Sequence, residues 1–62
     1  MSTRPTEQDC ENLEALVAIG DDLDKPSQGF IDEQWLRLEN ERWTGMTARQ
    51  WAWFDKLVER WL

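Results

Sequence analysis

Apolar positions along the chain recur at helical spacing in three blocks. In the first, Cys10, Leu13, Leu16, Val17 and Ile19 fall on one side of a helix. Thr6 stands where an N-cap belongs, with Asp9 three residues on. Glu7, Asp9 and Glu11 load the first turns with the negative charge that a helix N-terminus favours. Gly20 supplies a stop signal. The pattern predicts a helix over Glu7–Ile19, preceded by a polar, Pro-containing arm, Met1–Pro5, that reads as frayed.

Asp21–Gly29 holds three Asp, one Pro and one Gly and reads as a connection, with Leu23 tucked into the core beneath it. Ser27 is the expected N-cap of a second helix over Gly29–Trp43. Phe30, Ile31, Trp35 and Leu38 share one face of that helix. Leu36 and Trp43, seven apart, form another stripe on the far side of the wheel. A helix with two apolar stripes is either sandwiched or partly exposed.

Thr44-Gly45 breaks the pattern. Thr47 and Gln50 then have the spacing of a capping box, and Met46 and Trp51 that of a hydrophobic staple. A third helix is expected from Ala48 to Trp61. Trp51, Phe54, Leu57, Val58, Trp61 and Leu62 share its apolar arc. Ala52, Asp55, Lys56 and Glu59 lie opposite, Asp55 and Glu59 as a like-charged pair. Trp53 and Arg60 mark a border. No stretch alternates with period two. The expectation is one all-α domain over residues 1–62: a small three-helix bundle, or a helical hairpin plus a docked third helix.

Composition sharpens this. The chain has 62 residues, five Trp, one Cys and no His. A domain so short buries only ~60% of the surface its unfolded chain exposes. With no disulfide and no His-based zinc site, large aromatic side chains, each burying roughly 150–250 Å², are the remaining device for building a core. Trp35, Trp51 and Trp61 have core positions in this reading. Self-association is another way to stabilise so small a fold. There is no long apolar run and no signal-peptide pattern, so no membrane partner is expected, and the expected location is cytoplasmic.

Charge divides along the chain. Residues 1–41 carry 11 acidic and 3 basic groups, net −8, and residues 42–62 carry 2 acidic and 4 basic, net +2, which together give the −6 of the whole. An acidic body repels a phosphate backbone and attracts a basic protein surface.

Catalytic chemistry has little to build on. Cys10 lies on an apolar face with no His to activate it, and it reads as a structural thiol. Asp22-x-Asp24 lacks the further oxygen ligands, central Gly and terminal Glu of a calcium loop. There is no Gly-rich phosphate loop. No enzyme activity, cofactor or metal is expected.

Protein binding is the favoured function. Leu36, Trp43 and Trp53 fall off the core stripes and would serve as apolar anchors. Asp21, Asp22, Asp24, Asp32, Glu33, Glu39 and Glu41 would face a basic partner. An alternative is single-stranded nucleic acid bound through Arg49, Trp53, Lys56 and Arg60, where cations and aromatics interleave. A third is a structural homodimer that buries the off-core patch in its own interface.

The segment Met46-Thr47-Ala48-Arg49-Gln50-Trp51-Ala52-Trp53-Phe54-Asp55-Lys56-Leu57 resembles a C-terminal helix of small phage and prophage proteins, of pattern Leu-Thr-x-Lys-Gln-x-x-Trp-hydrophobic-x-x-Leu. Thr47, Gln50, Trp53 and Leu57 match, and Met46 and Arg49 depart conservatively. The resemblance implies a viral or prophage origin and, with it, the cytoplasm of a bacterial host. Small acidic proteins of that kind often inhibit host machinery, in the manner of anti-CRISPR and anti-restriction proteins, so the implied function is inhibition of a host defence or nucleic-acid-processing complex.

Overall fold

The computed structural model describes residues 4–40, 43 and 46–62. Among these the chain forms three α-helices and one 3₁₀ turn, with no strand: α1 over Glu7–Ala18, the 3₁₀ turn Gly20–Asp22, α2 over Lys25–Glu39 and α3 over Ala48–Trp61. The protein is a small all-α three-helix bundle. α1 packs along α2 more extensively than along α3, so the two form the closer pair and α3 lies against them.

Two helix starts are fixed by reciprocal caps. Thr6 Oγ1 accepts from Asp9 N–H at 3.2 Å while Asp9 Oδ2 accepts from Thr6 N–H at 2.9 Å. Thr47 Oγ1 accepts from Gln50 N–H at 3.2 Å and Gln50 Oε1 from Thr47 N–H at 3.0 Å. Each Thr cap stabilises its helix by about 1 kcal/mol. α1 stops at Ala18, and the chain tightens into the 3₁₀ turn. Gln28 Nε2 braces that turn by donating to Leu23 O at 3.0 Å. Leu23 is 4% exposed, so the turn carries it into the core.

α2 differs from the expected Gly29–Trp43 at both ends. It starts at Lys25 with Asp24 as N-cap and Pro26 in its first turn, where the missing proline N–H costs nothing. Ser27 is therefore inside the helix, not its cap, and it is buried. At the far end Asn40 closes α2: its backbone N–H and its Nδ2 both donate to Leu36 O, at 3.2 and 2.9 Å. The Asn40 side chain thus doubles the last backbone bond of the helix on the same carbonyl, whose second lone pair accepts it.

That early stop moves Trp43 off the wheel on which it seemed to share a stripe with Leu36. Trp43 is 7% exposed, and its Nε1–H donates to Gln34 Oε1, itself 2% exposed, at 3.1 Å. The placement of Trp43 as an off-core anchor is thus corrected: it is core. Its ring lies 5.7 Å from Trp51 and 6.1 Å from Phe54, and Trp51 meets Phe54 edge-on at 5.6 Å. Phe54, fully buried, is the centre of this cluster. On the α2 side Trp53 stacks on Phe30, with centroids 4.4 Å apart and planes 5° from parallel. These rings dock α3.

The end of α3 is also corrected. Trp61 and Leu62 had core positions on the arc, yet they are 38% and 54% exposed. Across from the last turn of α3 stand Asp22, Asp24 and Ser27, with Leu23 turned into the core, and an open groove separates them from Trp61.

The frayed arm is corrected as far as it is described: Met1–Thr3 lie outside the described residues, but Arg4 is pinned. One guanidinium donates to both oxygens of Asp9, at 3.0 and 3.2 Å, and to both oxygens of Asp55, at 2.8 and 3.1 Å. Its plane lies 3.8 Å from the Trp51 ring centroid. Arg4 thus ties the start of α1 to the middle of α3, and Asp55 has a cation partner in place of a bare repulsion from Glu59. The Asp9 carboxyl is held below its usual range, by the Arg4 guanidinium foremost, against the opposing effect of burial, with Thr6 adding to the lowering.

A group whose pKa is depressed by folding contributes stability that is present above its unfolded value, about pH 4, and is lost as pH falls through the folded value. Arg4→Met is expected to cost about 1–2 kcal/mol at neutral pH, a range that allows for the partial exposure of Arg4. Denaturant unfolding followed from pH 7 to pH 2 should show that difference shrinking as Asp9 protonates. Coincident curves for the two proteins would show that the clamp adds nothing, and parallel, offset curves that Asp9 is not the group it acts through.

Candidate functional site

With Trp43 in the core, the expected site residues sort into two surfaces. The first is the outward side of α2 and the neighbouring 3₁₀ turn. Asp32, Leu36 and Glu39 are spaced by four and three residues, so they stand on one exposed line of α2, with Glu33 beside it. Leu36 is 61% exposed, the most exposed large apolar side chain among the described residues. Asp21 joins this surface across a polar notch of about 160 Å³ between the end of α1, the turn and α2, which Asp21 and Asp32 both line. Glu33 pairs with Arg37 at 3.1 Å in an exposed i,i+4 contact, the kind that contributes little. Among the described residues no cation lies within 4.0 Å of Asp21, Asp32 or Glu39. Glu41 lies outside the described residues.

The second surface is a groove of about 610 Å³ between the start of α2 and the C-terminal half of α3. Asp22 and Asp24 line it from the turn and the α2 cap, and Lys56 and Arg60 line it from α3. Buried Leu23, Ser27 and Leu57 form its base, and half-exposed Trp53 and Trp61 stand along it. The Arg60 guanidinium lies 5.5 Å from the Trp61 ring centroid. Residues expected to bind a basic protein and residues expected to bind nucleic acid therefore meet at one place.

Arg49, Trp53, Lys56 and Arg60 follow one another by four, three and four, so they form a single stripe along α3. Arg49, Trp53 and Lys56 also line a shallow hollow of about 490 Å³ on the outer side of α3. Trp53 is a ridge between this hollow and the groove. Its stack on Phe30 leaves it 38% exposed.

Groups that could carry covalent or metal chemistry do not converge. Cys10 is half-buried and packs against the core. Among the described residues no three His, Cys, Asp or Glu side chains are placed to hold a metal ion, and no helix is long and apolar enough to cross a membrane. Of the features missed in the sequence, the Arg4 clamp had no local signal, since its partners lie 5 and 51 residues away. The Pro26 and Asn40 boundary signals were there to be read.

Asp24 holds its cap position without a side-chain hydrogen bond to the helix, and it lines the groove. Asp24→Ala should then lower stability by no more than about 0.5 kcal/mol, whereas Thr47→Ala should cost about 1 kcal/mol. Chemical denaturation of the two variants checks this, and an equal loss for both would show that Asp24 is serving the helix instead.

Comparison with protein-family models, curated proteins and solved structures finds no match to this chain.

Proposed function

We propose that the protein is a non-enzymatic binding module whose acidic outer face docks on a basic surface of a partner protein. The observation that carries this reading is the line Asp32–Leu36–Glu39, extended by Glu33 and by Asp21 across the notch. It places an apolar anchor between carboxylates, and Asp21, Asp32 and Glu39 have no cation within 4.0 Å among the described residues. Such an arrangement steers a cationic surface by long-range attraction and fixes it by burial of one apolar group. Helix-in-groove recognition works through side chains spaced in this way.

The resemblance of the last helix to small phage proteins supports a more specific version. The partner would be a bacterial defence or nucleic-acid-processing complex, and the basic surface would be one that otherwise holds nucleic acid. An acidic face that occupies it inhibits by exclusion.

The single stripe Arg49–Trp53–Lys56–Arg60 favours a second reading, binding of single-stranded nucleic acid by base stacking on Trp53. Against it, Asp22 and Asp24 stand across the groove from Lys56 and Arg60.

Purification of the partner from the producing cell, followed by titration of the two pure proteins, tests the proposal. Raising salt from ~50 to ~500 mM should weaken the affinity by at least about tenfold, and reversing Asp32, Glu33 and Glu39 to Lys should abolish binding. Affinity indifferent to both salt and charge reversal contradicts it. Single-stranded DNA added at low salt should leave the Trp fluorescence unchanged. Quenching would move the assignment to the α3 stripe.

A further inference from the structure

The groove has a property that the outer acidic face lacks: its two sides carry opposite charge. Asp22 and Asp24 line it from the turn and the α2 cap, and Lys56 and Arg60 from α3. Among the described residues no ion pair within 4.0 Å joins the two sides. The four charges face one gap and leave each other unsatisfied. Beside them stand exposed apolar groups of α3, Trp53 and Trp61 each 38% exposed, with Leu62 just past its end at 54%.

We infer that the groove is the interface of a homodimer, occupied by the same groove of a second copy. The argument is one of symmetry. A two-fold axis that lies in the interface and runs along the groove carries each side of one copy onto the opposite side of its mate. Lys56 and Arg60 of one copy then meet Asp22 and Asp24 of the other, and the same contact repeats on the far side of the axis. Like charges never oppose each other in this arrangement. The Trp53, Trp61 and Leu62 side chains of both copies come together around the axis and lose their exposure.

A foreign partner would have to supply a matching pair of oppositely charged ridges. A second copy supplies them by construction. The area is attainable: a standard interface takes about 800 Å² from each partner, roughly a sixth of the 4662 Å² that one copy exposes. The inference goes beyond the proposed partner-binding face. Asp21, Asp32, Leu36 and Glu39 do not line the groove, so in the dimer they form two outward docking faces.

Sedimentation equilibrium on the full chain tests this through a charge swap. The wild type should sediment at twice 7.4 kDa at micromolar concentration and above, with a dissociation constant that rises at least about tenfold between ~50 and ~500 mM salt. K56E/R60E makes both sides acidic, and D22K/D24N makes both basic while keeping a residue that caps helices well. Each variant alone should be monomeric, and an equimolar mixture should restore a dimer containing one of each. Circular dichroism confirms that each variant keeps its helices. If one fails to fold, Trp61→Ser in its place, which leaves the aromatic seam intact, should also yield a monomer. A wild type that stays at 7.4 kDa up to millimolar concentration, or variants that dimerise alone as well as the wild type does, overturns the inference.

Discussion

The rest of the structure depends on a seam of aromatic rings that holds α3 against the α1–α2 pair. A 62-residue chain has few side chains with which to make a third helix stay. α1 and α2 lie close, and ordinary Leu and Ile side chains fill the space between them. α3 shares less of its length with either, so its contacts are made by long side chains: Phe54 at full burial, Trp43 and Trp51 around it, and Trp53 flat on Phe30. Rings in edge-on and offset arrangements contribute ~0.5–1.5 kcal/mol per pair beyond their burial. A buried polar contact in the seam, Trp43 Nε1–H to Gln34 Oε1, satisfies a donor and an acceptor that would each be costly alone. Arg4 closes the open side of the same seam by covering Trp51 while it grips Asp9 and Asp55.

This way of building a core has a consequence at the surface. In the first half of α3 Phe54 is enclosed and Trp51 half-buried, whereas Trp61 in its last turn stands exposed. Trp61 and Leu62 are left beside the groove, and Trp53 is enclosed on one ring face only. Acidic residues, meanwhile, gather on the turn and on the outer side of α2, which the seam does not use. The result is two distinct surfaces. One is acidic apart from Arg37, carries one exposed apolar side chain, and is the face proposed for a basic partner. The other is of mixed sign with several apolar side chains, suited to a copy of itself.

The helical class, the capping boxes at Thr6 and Thr47, and the apolar faces of α1 and of the first part of α3 were legible in the sequence, because each rests on interactions within about four residues. The bounds of α2 were legible in principle, through Pro26 in its first turn and Asn40 at its end. Weighing Pro26 only as a breaker and Trp43 only as a wheel position hid both. Trp43 shows why the error matters. A helical wheel assigns a face only while the helix continues, and once it stops the chain can return a residue to the core from any direction. The exposure of Leu36 followed correctly from the wheel because Leu36 lies within α2. The Arg4 clamp and the meeting of Asp22 and Asp24 with Lys56 and Arg60 were not legible, since nothing local brings together residues more than 30 apart.

The central claim is a division of the tryptophans: Trp43 is enclosed within the seam that builds the fold, Trp53 lies at the edge of that seam with one ring face exposed, and Trp61 belongs to the surface. Hydrogen exchange of the indole N–H groups, followed by NMR, reads this division directly. The Trp43 indole proton, bonded to Gln34 in the core, should exchange only through global unfolding, at least about 100-fold more slowly than those of Trp53 and Trp61 in the monomeric K56E/R60E variant. A Trp43 proton that exchanges as fast as theirs would contradict the account, because the seam on which α3 rests would then be open to water.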